Sequence, residues 1–219
     1  MIWRAAIFDL DGVLADSAVL HYAAWKRLAD DLGIPFDEAA NEALKGVDRM
    51  ACIRVLLAHG GRAPPEAEMH ALAEIKNDYY RDLLEGVTPA CLLPGAERLI
   101  ADARAAGLKL AVASASRNAP ALLVRLGIAE RFDFIADAGA ITNPKPAPDV
   151  FLACADALVV EPDQCIGFED AAAGVEAILR AGMLAVGIGD ATQLARAHVV
   201  YPSTQAVDLA AVLARSGLA

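Results

Sequence analysis

Two aspartates, Asp9 and Asp11, stand one residue apart directly after the apolar run Ala5-Ala6-Ile7-Phe8. Such a run reads as a buried strand. Side chains alternate along a strand, so extended geometry carried to its end points both carboxylates to one side. Gly12 then lets the backbone turn sharply. Like charges this close bind a cation, share a proton or face bulk water. A solvated Asp-Gly turn satisfies the last condition, so the pair alone leaves turn and site open. Ligands of open α/β sheets do bind beyond the carboxyl ends of strands, which is where this pair falls.

Three later segments repeat the arrangement. A strand ending at Ala113 runs into Ser114-Ala115-Ser116-Arg117-Asn118, ahead of a helix. Hydroxyls, backbone N–H groups and an arginine at a helix N-terminus suit an anion; taken singly, Asn118 reads first as an N-cap. In Asn143-Pro144-Lys145-Pro146-Ala147-Pro148, prolines stiffen the chain around one lysine. The strand Cys165–Phe168 leads into Glu169-Asp170, and Asp170 taken singly reads as a helix cap. Brought together, the carboxylates of Asp9, Asp11, Glu169 and Asp170 would need compensation. Lys145 offsets one charge and a dication two more; oxygen-only ligands suit Mg²⁺.

The elements that must position these residues fall into two kinds. From Gly12 to about Gly86 the periodicity is helical, with Leu20, Ala24, Leu28 and Leu32 at helical spacing, further helices near 37–45 and 48–59, and a longer one from about Pro65 to Glu85. From Pro89 onward helices and strands alternate: helices near 94–106, 118–126, 148–157 and 171–181, and strands near 108–113, 132–136, 165–168, 184–188 and 198–200. That alternation predicts an α/β fold, a Rossmann-like and mostly parallel sheet with helices on both faces. The first strand belongs to it. The domain expectation is therefore a discontinuous catalytic core, 1–15 and 88–219, and an inserted all-α cap, 16–87, joined by two crossings that let it close as a lid.

The helical segment has its own chemistry. Lys76 falls inside the apolar arc of Met69, Leu72, Tyr79, Tyr80 and Leu83. A lysine there either snorkels to the rim, the commoner outcome, or faces a substrate. Arg49 follows Gly46-Val47-Asp48, which reads as a loop, and pairing with Asp48 is its bland alternative. His21 and Trp25 lie one turn apart on the first cap helix, and Trp25 suits core packing.

Composition narrows the function classes. Hydrophobic residues are 57% and charged residues 22%, which fits a packed globular protein and argues against disorder. A formal net charge of −10 argues against a nucleic-acid partner. No apolar run reaches membrane-spanning length and no signal-peptide pattern opens the sequence, so a cytoplasmic location without membrane contact is the expectation. The four cysteines are scattered with no Cys-x-x-Cys pair, and read as free thiols. A monomer is the simpler expectation.

The motif set Asp9-x-Asp11-Gly12-Val13, Ser114, Lys145 and Glu169-Asp170 resembles the haloacid dehalogenase-like phosphotransferase superfamily, in order and spacing across nearly the whole chain. The cap stretches His21 with Ala24-Trp25-Lys26, Leu44-Lys45-Gly46-Val47-Asp48-Arg49 and Lys76-Asn77-Asp78 resemble those of its sugar-phosphate mutases, the isomerases that interconvert β-D-glucose 1-phosphate and D-glucose 6-phosphate. The resemblance implies that Asp9 is the nucleophile that carries the phosphoryl group and Asp11 the general acid/base. It implies Mg²⁺ held by the Asp9 carboxylate, the Asp11 carbonyl and Asp170 with Glu169 in support, and β-glucose 1,6-bisphosphate as intermediate and activator. Ser114 and Lys145, with Ala115 beside them, would hold the reacting phosphate. Arg49, Ser116, Arg117 and Asn118 would hold the other phosphate. His21 and Lys76 would couple cap closure to substrate, and Trp25, Gly46 and Val47 would contact the sugar. Departures from the pattern are Arg117 in place of lysine, Asp48 in place of serine and Ala15 in place of a hydroxyl residue. The runner-up is a Mg²⁺-dependent, cap-bearing sugar-phosphate phosphatase with the same core. A non-catalytic phosphosugar-binding protein is disfavoured, since binding alone does not require Asp9 and Asp11 together.

Overall fold

Strand formation in the core follows from β-branched and small apolar runs buried on both faces. In β1 (Ala5–Phe8), Ala5 and Ile7 pack on one side of the sheet and Ala6 and Phe8 on the other. The same alternation runs through β2 (Lys109–Val112), β4 (Cys165–Glu169) and β5 (Leu184–Ile188). Two-sided burial of this kind is the mark of a parallel sheet covered by helices. The structure is a computed structural model that describes residues 3–44, 47 and 49–215.

Among the described residues six strands form one sheet in the order β3-β2-β1-β4-β5-β6, every pair parallel. Its edges are β3 (Phe134–Ile135) and β6 (Val199–Tyr201). β3 is shorter than the 132–136 expected: Phe134 and Ile135 pair in register with β2, while Asp133 and Ala136 only donate their N–H groups to the Leu110 and Val112 carbonyls at its ends. Helices α5 (Ala96–Ala105), α6 (Ala119–Arg125), α7 (Asp149–Leu158), α8 (Ala172–Arg180) and α9 (Leu209–Leu213) flank it. Phe8 stacks on Phe168 at 4.8 Å between ring centroids, and neither ring is exposed.

The segment between β1 and the sheet's second strand is helical: α1 (Ala18–Asp31), α2 (Glu38–Glu42), α3 (Arg49–His59) and α4 (Glu66–Leu84). These helices bury a core of their own around Trp25, Leu28, Phe36, Ile53, Leu56, Leu57 and Leu72. A second face of α1 and α4, carrying Ala24, Tyr80 and Leu84, packs into the apolar layer of the sheet. The two crossings run side by side. The Asp16 N–H donates to the Cys91 carbonyl at 3.1 Å and the Leu93 N–H to the Leu14 carbonyl at 2.9 Å. None of the four cysteines forms a disulfide. Among the described residues no helix is long and apolar enough to cross a membrane.

Candidate active site

The strand order reverses between β1 and β4, so the first strand of the chain and a strand far downstream end side by side. Such a switch point opens a crevice past the carboxyl ends of the two strands. The Asp9 N–H donates to the Phe168 carbonyl at 2.9 Å, which places Asp9 beside Glu169 and Asp170. One carboxylate oxygen from each of Asp9, Glu169 and Asp170 lies within 4.8 Å of the others. Lys145 enters from the proline-rich segment, its Nζ donating to Asp9 Oδ1 at 2.5 Å and to Glu169 Oε2 at 2.7 Å.

One buried cation cannot balance three convergent carboxylates. Burial, reinforced by Asp9, pushes the Glu169 carboxyl up to about 7. Burial, with Glu169, Asp9 and Asp11, holds Asp170 well above the carboxylate range. Burial by itself would lower Lys145, but Asp9 and Glu169 outweigh it and hold the ammonium above the usual lysine range. The oxygen-only donor set and its uncompensated charge fit a hard dication such as Mg²⁺. Two glycines shape the cradle. A Cβ on Gly12, whose φ is +81°, would stand 2.0 Å from Asp170 Oδ2, and one on Gly174 in α8 would stand 2.0 Å from Glu169 Oε2. Asp170 does not cap α8, whose N-cap is Ala171.

The Asp11 carboxyl parts from that cluster. It accepts from Ser17 Oγ on the crossing into the cap, and Asp11 Oδ2 faces His21 Nε2 at 3.8 Å. Ser17 begins α1 without capping it, because its hydroxyl is spent on Asp11. Burial first, then the neighbouring Asp9, pushes the Asp11 carboxyl up to about 6. A group near neutrality can give and take a proton at physiological pH.

Lys76 does not snorkel. It is 3% exposed, donates to His21 Nδ1 at 2.9 Å, and lies 4.7 Å from the centroid of Trp25 and 4.8 Å from that of Tyr80. An ammonium offers only donors, so His21 Nδ1 accepts and Nε2 carries the proton toward Asp11. His21 stacks on Tyr80 at 4.2 Å. Burial, then Lys76 and Arg49, lower the imidazole well below its usual range. Burial and then Arg49 lower Lys76 to about 7. Trp25 is buried in the core of the helical segment and also lines the cleft.

The loop after β2 holds Ser114 fully buried. Ser114 Oγ accepts the Ser116 N–H at 3.1 Å, and Ser116 Oγ accepts the Asn118 N–H at 3.2 Å, hydroxyl turns that fix the loop. Asn118 starts α6 but makes no side-chain cap bond. Its Nδ2 reaches the helical segment, donating to Asn77 Oδ1 at 2.9 Å. Arg49 is the first residue of α3 and bonds Asn77 and Glu74. Asp9, Asp11, His21, Lys76, Ala115, Ser116, Asn118, Val47, Arg49 and Asp170 all line one cleft.

Arg117 is exposed and lines an adjoining cleft with Arg49, Ser114 and Lys145, and its charge acts on Arg49, which lines both clefts. The expectations placed on Gly46 and Asp48 lie outside the described residues. Residues that sequence reading missed are Ser17, Gly174, Asn77 and Tyr80. Ser17, just ahead of the first helix, reads from sequence as an N-cap; Tyr80 reads as part of an apolar helix arc, and Asn77 only as a member of the stretch Lys76-Asn77-Asp78; nothing local marks Gly174.

The profile of haloacid dehalogenase-like hydrolases matches residues 3–182. The chain belongs to that family. It is 42% identical to the β-phosphoglucomutase of Bacillus subtilis, over 94% of this chain and 92% of that one. It is 34% identical to a fructose-1-phosphate phosphatase of Escherichia coli, over 85% of this chain and 96% of that one. The crystal structure of a β-phosphoglucomutase from Clostridium difficile superposes with a TM-score of 0.93, at 43% identity and 96% coverage of both chains. The chain is an enzyme of the phosphotransferase kind, with a phosphorylated sugar as the substrate class of its relatives.

Two outcomes follow from the geometry. Gly12→Ala drives a Cβ into Asp170, so the Mg²⁺ concentration needed for half-maximal activity rises by about tenfold or more; a titration of activity against Mg²⁺ measures it. Lys76 carries a proton up to pH ~10.5 in the unfolded chain but only to about 7 in the folded one. Between those values the unfolded state binds more protons, so this group's contribution to stability rises with pH. Urea unfolding from pH 7 to 10 is expected to show wild type gaining on Lys76→Met across that window.

Proposed function

We infer that the chain acts as a β-phosphoglucomutase, interconverting β-D-glucose 1-phosphate and D-glucose 6-phosphate. The single observation that carries the reading is a nucleophile-and-metal cluster at Asp9 facing a cationic and amide pair, Arg49 and Asn118, across one cleft. A phosphatase needs the first half only. A mutase must hold a second phosphate while the first reacts. We take residues 16–87 as a cap over a core of 1–15 and 88–219.

Asp9, Glu169 and Asp170 would hold Mg²⁺, which when bound supplies charge neutralisation at the transferring phosphoryl group. Asp9 is the nucleophile. A carboxylate approaching a phosphate dianion meets repulsion, and Lys145, 2.5 Å from Asp9, lowers it. Ser114, with the backbone beside Ala115, receives the equatorial oxygens. Arg49, Ser116 and Asn118 take the non-reacting phosphate, and Trp25 and Val47 line the sugar. Arg117 serves the second phosphate through charge from the adjoining cleft.

The cycle begins with phospho-Asp9. The sugar's O6 attacks phosphorus, the bond to Asp9 breaks, and Asp11 takes the O6 proton. β-Glucose 1,6-bisphosphate then turns end for end. Asp9 attacks the phosphorus on O1, and Asp11 returns the proton to that leaving oxygen, which releases glucose 6-phosphate. His21 and Lys76 hold Asp11 to the cap, so the acid/base group is in place when the cleft is shut and water is excluded.

With β-glucose 1-phosphate, a trace of the bisphosphate and Mg²⁺, the expected product is glucose 6-phosphate, and the α anomer is inert. Asp9→Asn abolishes turnover, and Asp11→Asn lowers kcat by about 10²- to 10⁴-fold. Coupled detection of glucose 6-phosphate alongside free phosphate checks all three. Release of phosphate without glucose 6-phosphate would establish the phosphatase instead.

A further inference from the structure

Asn77 belongs to α4 and was no part of the expected site, yet it carries the hydrogen bond that joins the two halves of the second phosphate subsite. Its Oδ1 accepts from Arg49 at 2.8 Å and from Asn118 Nδ2 at 2.9 Å. Arg49 stands on α3 of the helical segment, and Asn118 stands at the start of α6 on the core.

The orientation of all three side chains is forced by chemistry. A guanidinium has donors only, so the atom of Asn77 that faces Arg49 must be its oxygen. The oxygen has a second lone pair, and Asn118 must then present its amide nitrogen to that same atom. One acceptor thus gathers a donor from each side of the cleft. Glu74 holds the other terminal nitrogen of Arg49 at 3.3 Å, so the guanidinium is tied at both ends. Asn77 itself is half-buried, and it does not line the cleft.

We propose that Asn77 is a positioning residue that assembles the non-reacting phosphate's subsite: its amide oxygen docks Arg49 of the cap on Asn118 of the core before that phosphate binds. This rests on the second-phosphate reading given above. Without Asn77, two donors on separate bodies must be brought together by the ligand itself, and the ordering cost falls on binding. The chemistry at Asp9 has no contact with Asn77, so the effect is selective for ligands that carry a second phosphate.

The test compares cleavage of β-glucose 1,6-bisphosphate with that of p-nitrophenyl phosphate, which has a single phosphate, in wild type, Asn77→Ala, Asn118→Ala and the double variant. Asn77→Ala is expected to raise KM for the bisphosphate with little change in kcat, and to cut the preference for bisphosphate over p-nitrophenyl phosphate by about tenfold, the scale of one charge-assisted hydrogen bond. Because Asn77 acts through Asn118, the double variant should lose little more than the single ones. An unchanged preference ratio, or losses that multiply in the double variant, overturns the proposal. Thermal midpoints of the four proteins separate a folding defect from lost positioning: equal loss on both substrates with a lowered midpoint also overturns it. Both readouts are taken on bond cleavage. Failure to make glucose 6-phosphate would therefore count against the mutase reading alone.

Discussion

Repulsion among carboxylates at one strand-end crevice is the constraint on which the rest of this molecule depends. Asp9, Glu169 and Asp170 converge because the sheet order reverses between β1 and β4. Left alone, such a cluster drives its members to neutral forms, and the raised Glu169 and Asp170 show that pressure. The chain answers it with one lysine on a proline-bracketed segment, placed between two of the three. It leaves the remaining charge for a dication, whose binding inverts the local electrostatics and restores ionised carboxylates. Every element nearby serves that balance. Gly12 and Gly174 omit the Cβ atoms that would displace Asp170 and Glu169, and the buried faces of the sheet hold the strand ends in register.

The same site separates two chemically equal residues by environment. Asp9 lies in the acidic cluster with Lys145. Asp11, two residues on, turns to Ser17 and His21 and leaves the cluster. Its raised pKa suits a group that exchanges protons near neutrality. The turn at Gly12 that sets this divergence also begins the crossing into the helices, so proton transfer and the position of the helical segment are joined through one short stretch of backbone.

Lys76 shows how the cap tunes that link. A lysine buried among Trp25, Tyr80 and His21 loses hydration and, among the described residues, gains no carboxylate in hydrogen-bond range. It holds His21 in one tautomer and aims it at Asp11. The cost in stability is set by pH, and it is borne by the helical segment that lines the cleft. Tyr80 contributes its ring to both His21 and Lys76, and its buried hydroxyl has no hydrogen-bond partner among the described residues.

Local pattern determined much of this protein. The apolar run before Asp9, the alternation of helix and strand after Pro89 and the helical periodicity before it are consequences of side-chain burial at periods of two and 3.6. They are therefore visible residue by residue. The candidate site residues were legible for a related reason: Asp9, Asp11, Ser114, Glu169 and Asp170 lie at or just past strand ends, and Lys145 stands in a proline-bracketed loop, features that can be read along the chain. Partner choice was not legible. Asn118 and Ser17 look like helix caps, and Asp170 looks like one too, until the fold brings Asn77, Asp11 and Gly12 beside them. The burial of Lys76 depends on helices that meet only in three dimensions. Sequence by itself set which residues carry charge and which element each one ends. Tertiary structure alone decided which charges face one another, because electrostatic and hydrogen-bond energies depend on distances between residues that the chain keeps far apart.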